Sequence, residues 1–206
     1  MIQFLQQLIN GLSIGSVYAL MAVGYSLVYS IMNFSNFAHG GVIMLGAYFG
    51  FFSLTLLKLP FIPSFLIATA GTTMLAIGVE RVAYKPLRLR NAPFLYFIIS
   101  AMGASILLEN IVIATIGPTF RTYPEVIART PIAIGQLAIG RLDLIMFAIS
   151  ACCLGGLILF IEKTKMGKAI QAAAYNIKAC ALMGVNTDRV ILIVFGLGGF
   201  LAGVAG

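Results

Sequence analysis

Long apolar runs separated by short polar segments extend along the whole chain. The first 57 residues contain no Asp, Glu, Lys or Arg. A helix needs about 20 mostly apolar residues to cross the hydrocarbon core of a bilayer. Runs of about this length occupy residues 4–31, 42–57, 61–79, 94–116, 144–161 and 190–206. The pattern predicts an all-α, polytopic membrane protein with about six spans, organised as a single transmembrane domain over residues 1–206.

A polar interruption lies between the first two runs, at residues 33–41. It contains two asparagines, a serine, a glycine pair and the single histidine of the chain. Near membrane depth, polar groups persist only where protein shelters them or where they line a cavity, and transporters place substrates at helix breaks of this kind. The interruption therefore predicts a translocation path or substrate contact formed by Asn33, Phe34, Asn36, Phe37 and His39. The alternative is that His39 is a packed, hydrogen-bonded residue of the bundle.

The charged residues are few and lie mostly between the apolar runs. They make up 9% of the chain, and the formal net charge is +7. Lys and Arg in short loops act as topology signals, so we expect a membrane lipid environment and no nucleic-acid partner. Residues 81–90 carry four Lys/Arg, residues 162–189 carry five, and residues 117–141 carry three. The positive-inside rule places the two richer segments in the cytoplasm, and the third segment and the N-terminus on the other side.

Residue types that would support catalysis or metal binding are scattered. The six carboxylates form no close pair, and one histidine cannot build a histidine-rich metal site. No phosphate-binding loop of the Gly-x-x-x-x-Gly-Lys-Ser/Thr type is present. Cys152 and Cys153 are adjacent in an apolar run and Cys180 is remote, which gives no disulfide framework. We therefore expect no catalytic residue, no metal and no cofactor, in a chain that is not itself an enzyme.

Glu109 is the one acid well inside an apolar run. An ionisable side chain at that depth is costly, which makes it a functional hypothesis by default. The structural alternative is a carboxyl group that is protonated, or hydrogen-bonded to Asn110 and a neighbouring helix. Because no second buried acid is available to relay protons, we favour the structural alternative over coupling to a proton gradient.

Glycines recur at a four-residue spacing in the first and last apolar runs. Gly11, Gly15 and Ala19 form one such series, and Gly199 and Gly203 form another. Small residues at this spacing allow helix backbones to approach closely within a membrane. We expect both series to pack against neighbouring helices.

Residues 168–183 combine many alanines with lysines and amides, which is a strongly helix-forming composition. Gly184 follows at a position where glycine commonly ends a helix. A cytoplasmic helix parallel to the membrane is suited to dock in a groove of a partner protein, and it is equally suited to rest on lipid. The residues alone do not separate these two interpretations.

Six short motifs lie in order along the chain: GLSIGSVYAL (11–20), NFAHG (36–40), GAY (46–48), ERVAYKPLR (80–88), MGKA (166–169) and LMGVNTDRV (182–190). Together they resemble the motifs of the permease subunits of branched-chain amino acid ABC transporters of the LivH type. The resemblance implies a permease that moves branched-chain amino acids across the bacterial inner membrane. The apolar rings of Phe34 and Phe37, at the helix break, would suit such a substrate as walls for its branched side chain. Related systems carry urea or short amides, which remain alternatives; a passive channel is a less favoured one.

The resemblance also implies partner subunits: a homologous second permease, two cytoplasmic ATPases that hydrolyse ATP, and a periplasmic substrate-binding protein. It identifies residues 172–184 as the coupling helix that docks on an ATPase. The residues assigned to this contact are Lys168, Gln171, Ala172, Ala173, Asn176, Ala179 and Gly184. Gln171 and Asn176 stand where the family more often has Arg and an acidic residue, and Glu109 where an amide is more usual. Since family members extend well past 206 residues, we expect the chain to be the N-terminal portion of a longer permease.

Overall fold

The computed structural model describes residues 2–119, 121–124, 132–134 and 137–206. The α-helices within these ranges are α1 (Ile2–Met32), α2 (Ala38–Thr55), α3 (Phe61–Val79), α4 (Lys85–Leu89), α5 (Phe94–Ile116), α6 (Arg141–Lys163), α7 (Lys165–Tyr175), α8 (Ile177–Leu182) and α9 (Thr187–Ala205). A π-helical turn, Glu80–Tyr84, joins α3 to α4. Two short strands, β1 (Ile132–Ile134) and β2 (Leu137–Ile139), form an antiparallel hairpin with Ile132 opposite Ile139.

The predicted membrane spans are confirmed. In the part of the chain that the structure describes, six helical segments are long and apolar enough to cross a membrane: Gln3–Met32, Ala38–Thr55, Phe61–Leu89, Phe94–Ile116, Arg141–Lys163 and Thr187–Ala205. The hairpin between α5 and α6 was not predicted. With three residues in each strand, it leaves the all-α class unchanged.

The third span continues beyond the apolar run that predicted it. Helical backbone extends from Phe61 to Leu89, although the run ends at residue 79. Pro86 directly follows the π-helical turn, at the start of α4, and its missing N–H removes one backbone donor at the point where the helix is locally distorted. The carbonyl oxygen of Ala83, in the π-helical turn, accepts a 3.0 Å hydrogen bond from the Ser100 hydroxyl of α5. The Lys/Arg-rich segment is therefore mainly a helical extension of α3, anchored to α5.

Helix α9 lies at the centre of the bundle, in contact with α1, α2 and α3. A Cβ atom added at Gly199 would lie 2.8 Å from the carbonyl oxygen of Thr72, and one added at Gly203 would lie 2.8 Å from the Cα of Thr69. The backbones of α9 and α3 are thus in direct contact, which confirms the packing predicted for this glycine series. An atom added at Gly11 would meet nothing within 4 Å among the described residues. Gly11 therefore makes no close approach to another described helix, and the packing expected for the first series stays a prediction.

Three connections meet at one end of the bundle, which we call the inner end. They are residues 33–37 between α1 and α2, the π-helical turn with α4, and the segment 164–186 that contains α7 and α8. Buried side chains from all three form one apolar cluster with α9: Val28, Ile31, Phe34, Tyr84, Ala101, Ile170, Ala173, Cys180, Val190, Ile191, Val194 and Phe195. The two segments richest in Lys and Arg therefore share one end, as predicted, and we call the opposite end the outer end.

Candidate functional site

The polar interruption is a five-residue connection between two spans, at the inner end. Asn33 ends α1 in the left-handed region, with φ of 53°, a conformation that asparagine tolerates better than most residues. Its backbone N–H donates to the carbonyl oxygen of Tyr29 at 2.9 Å. Helix α2 then begins at Ala38, and the N–H of His39 donates to the carbonyl oxygen of Asn36 at 3.1 Å.

Phe34 and Asn36 are buried and tie this connection to distant helices. The Tyr84 hydroxyl donates to Oδ1 of Asn36 at 2.6 Å. The ring of Phe34 lies 5.1 Å from that of Tyr84 and 5.4 Å from that of Phe97, and Tyr84 in turn lies 5.4 Å from Phe195. One aromatic group of four rings thus links the connection to the end of α3, to α5 and to α9.

His39 is also buried, with 6% of its surface exposed. Its ring packs edge-on against Tyr25 at 6.2 Å. The Nε2 atom has no hydrogen-bond partner among the described residues. Beside it lies a cavity of about 10 Å³ that Asn36 also lines, which is room for about one water molecule. The histidine is therefore a packed residue with one unused polar atom that faces a water-sized space.

The five predicted path residues divide into two groups. Phe34, Asn36 and His39 come together beneath the inner end, whereas Asn33 is exposed and Phe37 is 49% exposed. The protein shelters the three inward-facing side chains, as the cost of polar groups at membrane depth requires. The cavity found beside Asn36 and His39 is water-sized, so the role of these residues in a path stays a prediction.

An ionic group not anticipated from the sequence joins two helices at the inner end. The Nη2 atom of Arg88, in α4, lies 2.9 Å from Oε1 of Glu80 and 3.0 Å from Oδ1 of Asp188, at the start of α9. The Glu80 side chain is 1% exposed, whereas that of Asp188 is 50% exposed. The sequence shows that these charged residues are present, but it does not show that they pair, because the pairing depends on the continuation of α3 into α4.

The predicted coupling helix is interrupted, which corrects the continuous helix expected over 168–183. Asn176 has extended backbone, with φ of −156°, and separates α7 from α8. Its side-chain oxygen accepts from the N–H groups of Lys178 and Ala179 at 3.1 and 3.0 Å. Asparagine is among the best N-cap residues, and here the cap prevails over the helix-forming alanines around it.

Two other helix ends in this segment, the start of α7 and the end of α8, follow known capping patterns. The Thr164 hydroxyl oxygen caps α7 by accepting from the N–H of Gly167 at 2.9 Å. At the end of α8, Gly184 has φ of 84°, and its N–H donates to the carbonyl oxygen of Ala181 while that of Val185 donates to Cys180. This pair of bonds defines a Schellman motif and confirms the predicted helix end at Gly184.

The coupling segment has one face on the bundle and one face free. Ala173 is buried, with 2% of its surface exposed, which corrects its assignment to a partner-facing surface. The other assigned residues are exposed: Lys168, Gln171, Ala172, Asn176, Ala179 and Gly184. Three large apolar residues of the segment are exposed as well: Tyr175, Leu182 and Met183, at 95%, 89% and 84%. These three residues lie beside the helix breaks at Asn176 and Gly184, which is the one signal in the sequence that points to them.

The acidic side chains of the described residues do not cluster in the way that the ligands of a metal ion do. Among the residues that the structure describes, no group of three His, Cys, Asp or Glu side chains lies close enough together to hold a metal ion. The carboxylate of Glu109 accepts a 3.0 Å hydrogen bond from the hydroxyl of Ser105, one turn earlier in α5. Asn110 instead donates to the carbonyl oxygen of Ile106, so the bond to Asn110 that was one of the two structural options for Glu109 is replaced by the bond from Ser105.

Comparison with known proteins identifies the family of the chain. The family model described as branched-chain amino acid transport system / permease component matches residues 7–206. The high-affinity branched-chain amino acid transport system permease protein BraD of Pseudomonas aeruginosa is 36% identical over 98% of this chain and 69% of its own length. The corresponding LivH proteins of Salmonella typhimurium and Escherichia coli are 37% and 36% identical, with the same coverage. No solved structure matches significantly. The chain, a multi-pass membrane protein, therefore belongs to the family of branched-chain amino acid transport system permease components.

Proposed function

We propose that this chain is a membrane-spanning permease subunit of an ABC importer that moves branched-chain amino acids across the bacterial inner membrane. The observation that carries the proposal is the similarity to BraD and LivH over 98% of the chain, on a bundle whose described part contains six spanning helices. The names of these relatives supply the substrate class, and urea or short amides are the alternatives to be tested.

The inner end supports a role in coupling to partner subunits. ATP hydrolysis takes place on two cytoplasmic ATPases, and the exposed side chains of α7 and α8 form the surface on which one of them docks. Tyr175, Leu182 and Met183 supply its apolar contacts, and Lys168 and Gln171 its polar ones. Large apolar side chains so exposed are typical of a surface that another protein covers.

The buried face of the same segment provides a route from the ATPase to the spans. Ile170 and Ala173 of α7 belong to the apolar cluster that also contains Phe34, Tyr84 and Phe195. Closely packed side chains transmit a displacement because they cannot be compressed. A movement of α7 driven by the ATPases therefore shifts the inner ends of α1, α3 and α9 together.

Transport requires two arrangements of the bundle, one open and one closed at the inner end. The structure has the closed arrangement. Asn33, Phe34, Asn36, Phe37 and His39 line the path when that end opens, with the two aromatic rings against the substrate side chain. A substrate shifts such an equilibrium only through a difference in its affinity for the two arrangements. Selectivity is then set largely by a periplasmic substrate-binding protein, and a homologous second permease completes the passage.

The proposal is tested by reconstitution of the complete transporter in proteoliposomes, with the second permease, both ATPases and the binding protein. We expect uptake of radiolabelled L-leucine that requires ATP and is inhibited by L-isoleucine and L-valine, but not by urea or acetamide. Uptake of urea in place of leucine would assign the chain to the amide carriers of the family. Uptake without ATP would instead support the passive channel.

A further inference from the structure

A large cavity lies at the outer end, between α2, α5 and the segment that follows α5. Its volume is about 550 Å³, which falls within the range of about 300–1,000 Å³ that is typical of small-molecule sites. The walls include Tyr48 and Phe51 of α2, Glu109 of α5, and Arg121 and Tyr123 of the following segment. Unlike the water-sized space beside His39, this cavity is large enough for an amino acid.

Glu109 brings a carboxylate into this cavity from within a membrane span. Ile116, the last residue of α5, lies seven residues further along the helix, so Glu109 lies about 10 Å from the outer end of the helix at a rise of 1.5 Å per residue. Within the described ranges no cationic side chain forms an ion pair with Glu109. An ionisable side chain at such a depth is usually found facing a water-filled cavity, where it serves a function. The Ser105 bond uses one oxygen, which leaves the other free for a ligand.

Arg121 supplies the opposite charge from another wall of the cavity. Its guanidinium carbon lies 5.9 Å from the centroid of the Phe51 ring, and its Nη2 atom donates to the carbonyl oxygen of Ile116 at 3.3 Å. No carboxylate among the described residues forms an ion pair with Arg121. Opposite charges thus share one cavity without neutralising each other.

Tyr123 fixes the segment that carries Arg121 against α2. Its hydroxyl donates a short hydrogen bond to the carbonyl oxygen of Ala47, and its ring packs edge-on against Phe51 at 5.8 Å. Burial raises the pKa of this phenol, so the hydroxyl stays protonated and keeps its role as a donor. The position of the guanidinium is therefore set by contacts on both sides of it.

We propose that this cavity is an outward-facing binding site for an α-amino acid with an apolar side chain. Glu109 receives the α-ammonium group and Arg121 the α-carboxylate, which guanidinium groups bind through two parallel hydrogen bonds. The apolar wall that receives the side chain consists of Met44, Tyr48, Phe51, Val112, Ile113 and Tyr123. The inference rests on the proposed function, because it gives the permease a site for the same class of solute.

The charges of Glu109 and Arg121 distinguish zwitterions from uncharged solutes, and they distinguish this cavity from two others in the bundle. An uncharged solute such as urea would leave both Glu109 and Arg121 uncompensated, so the geometry favours zwitterions over amides. Two further cavities in the described part of the chain have volumes of about 270 and 360 Å³ and no charged residue in their walls. Neither offers a partner for the ammonium or the carboxylate of an amino acid.

The test is a binding measurement on the membrane complex of both permeases and both ATPases in lipid nanodiscs, without the binding protein. Saturation-transfer NMR gives the Kd of three probes: L-leucine, 3-methylbutylamine, which lacks the carboxylate, and 4-methylpentanoate, which lacks the ammonium. The variants are Glu109→Gln and Arg121→Gln. The matched controls are Glu162→Gln, on the exposed inner part of α6, and Lys58→Gln, at the outer end but outside the cavity wall.

We expect each cavity variant to raise the Kd of L-leucine by about tenfold, the scale of one lost charge-assisted hydrogen bond. The single-charge probes should show a crossed pattern: Glu109→Gln weakens binding of the amine but not of the acid, and Arg121→Gln does the reverse. The controls should leave all three values unchanged.

Two kinds of result would overturn the inference. One is the absence of leucine binding by the unaltered complex, or an unchanged Kd in both cavity variants. The other is equal weakening of all three probes by both variants, which indicates a structural role. ATP-dependent leucine uptake by the unaltered transporter, measured in parallel, separates these failures from a failure of the proposed function.

Discussion

The hydroxyl group of Tyr84 donates a 2.6 Å hydrogen bond to Oδ1 of Asn36, which lies 48 residues earlier in the chain. Both side chains are buried, with 0% and 5% of their surfaces exposed. Tyr84 belongs to the turn that ends the third span, and Asn36 to the connection between the first two spans. Any movement that parts these helices at the inner end has to break this bond.

Replacement of Tyr84 by phenylalanine removes the hydroxyl and leaves the Asn36 amide oxygen buried without this donor. A buried polar group that loses its partner costs about 1–3 kcal/mol, so the purified subunit should unfold at a lower temperature. Thermal unfolding in detergent measures the change. Tyr175→Phe is the control, because Tyr175 is 95% exposed, and its Tm should stay the same. Equal Tm values for both variants would contradict the importance of the Asn36 bond.

Replacement of Arg88 by methionine should destabilise the inner end more strongly. The Glu80 carboxylate is 1% exposed and would lose the guanidinium that lies 2.9 Å away. Breaking a buried ion pair from one side costs about 3–5 kcal/mol. The double variant with Glu80→Gln should recover much of the lost Tm, because it removes the uncompensated charge. Asp188→Asn should lower the Tm by less, since that side chain is 50% exposed. A decrease in Tm as large as that of Arg88→Met would contradict the claim that the buried Glu80 charge is the main cause.

The spans and several of their boundaries were predictable because they depend on local properties. Apolar length predicts a membrane crossing wherever it occurs, and glycine in the left-handed conformation ends α8 at Gly184, as expected from its position alone. The close approach of α9 to a neighbouring helix was predictable from the spacing of Gly199 and Gly203. The partner helix of that approach could not be predicted, because spacing does not say which helix lies opposite.

The arrangement of the inner end could not be predicted, because it depends on pairs that are remote in sequence. The bond of Asn36 with Tyr84 and the contact of Arg88 with Asp188 exist only once the helices have assembled. At Asn176 two local preferences compete: the surrounding alanines favour a continuous helix, whereas the asparagine side chain favours a new N-terminus. The burial of Ala173 follows from the position of α7 against α1 and α9, which composition does not reveal.

Addition of a single methyl group at Gly203 should disrupt the centre of the bundle. In Gly203→Ala the new Cβ would lie 2.8 Å from the Cα of Thr69 and close to the Thr72 side chain. Backbone on one side cannot yield as a flexible side chain would, and overpacking of this kind costs about 1–3 kcal/mol. Gly15→Ala is the matched control, because nothing lies within 4 Å of the added atom. The yield of monodisperse protein and its Tm should fall for the first variant and not for the second.

The docking surface on α8 is tested by Leu182→Ser and Met183→Ser. Both side chains are exposed, at 89% and 84%, so the variants should keep the Tm of the unaltered subunit. Ala173→Arg is not a suitable test of docking, because it would put a charge into the core and affect folding. If an ATPase covers these residues, loss of two central apolar contacts should reduce leucine-stimulated ATP hydrolysis by about tenfold, and the ATPase should co-purify less well. Leu89→Ser is the control, since Leu89 is 67% exposed on α4 at the same end. If α8 instead rests on lipid, the variants would assemble and hydrolyse ATP as the unaltered complex does, and the assignment of the coupling surface would be wrong.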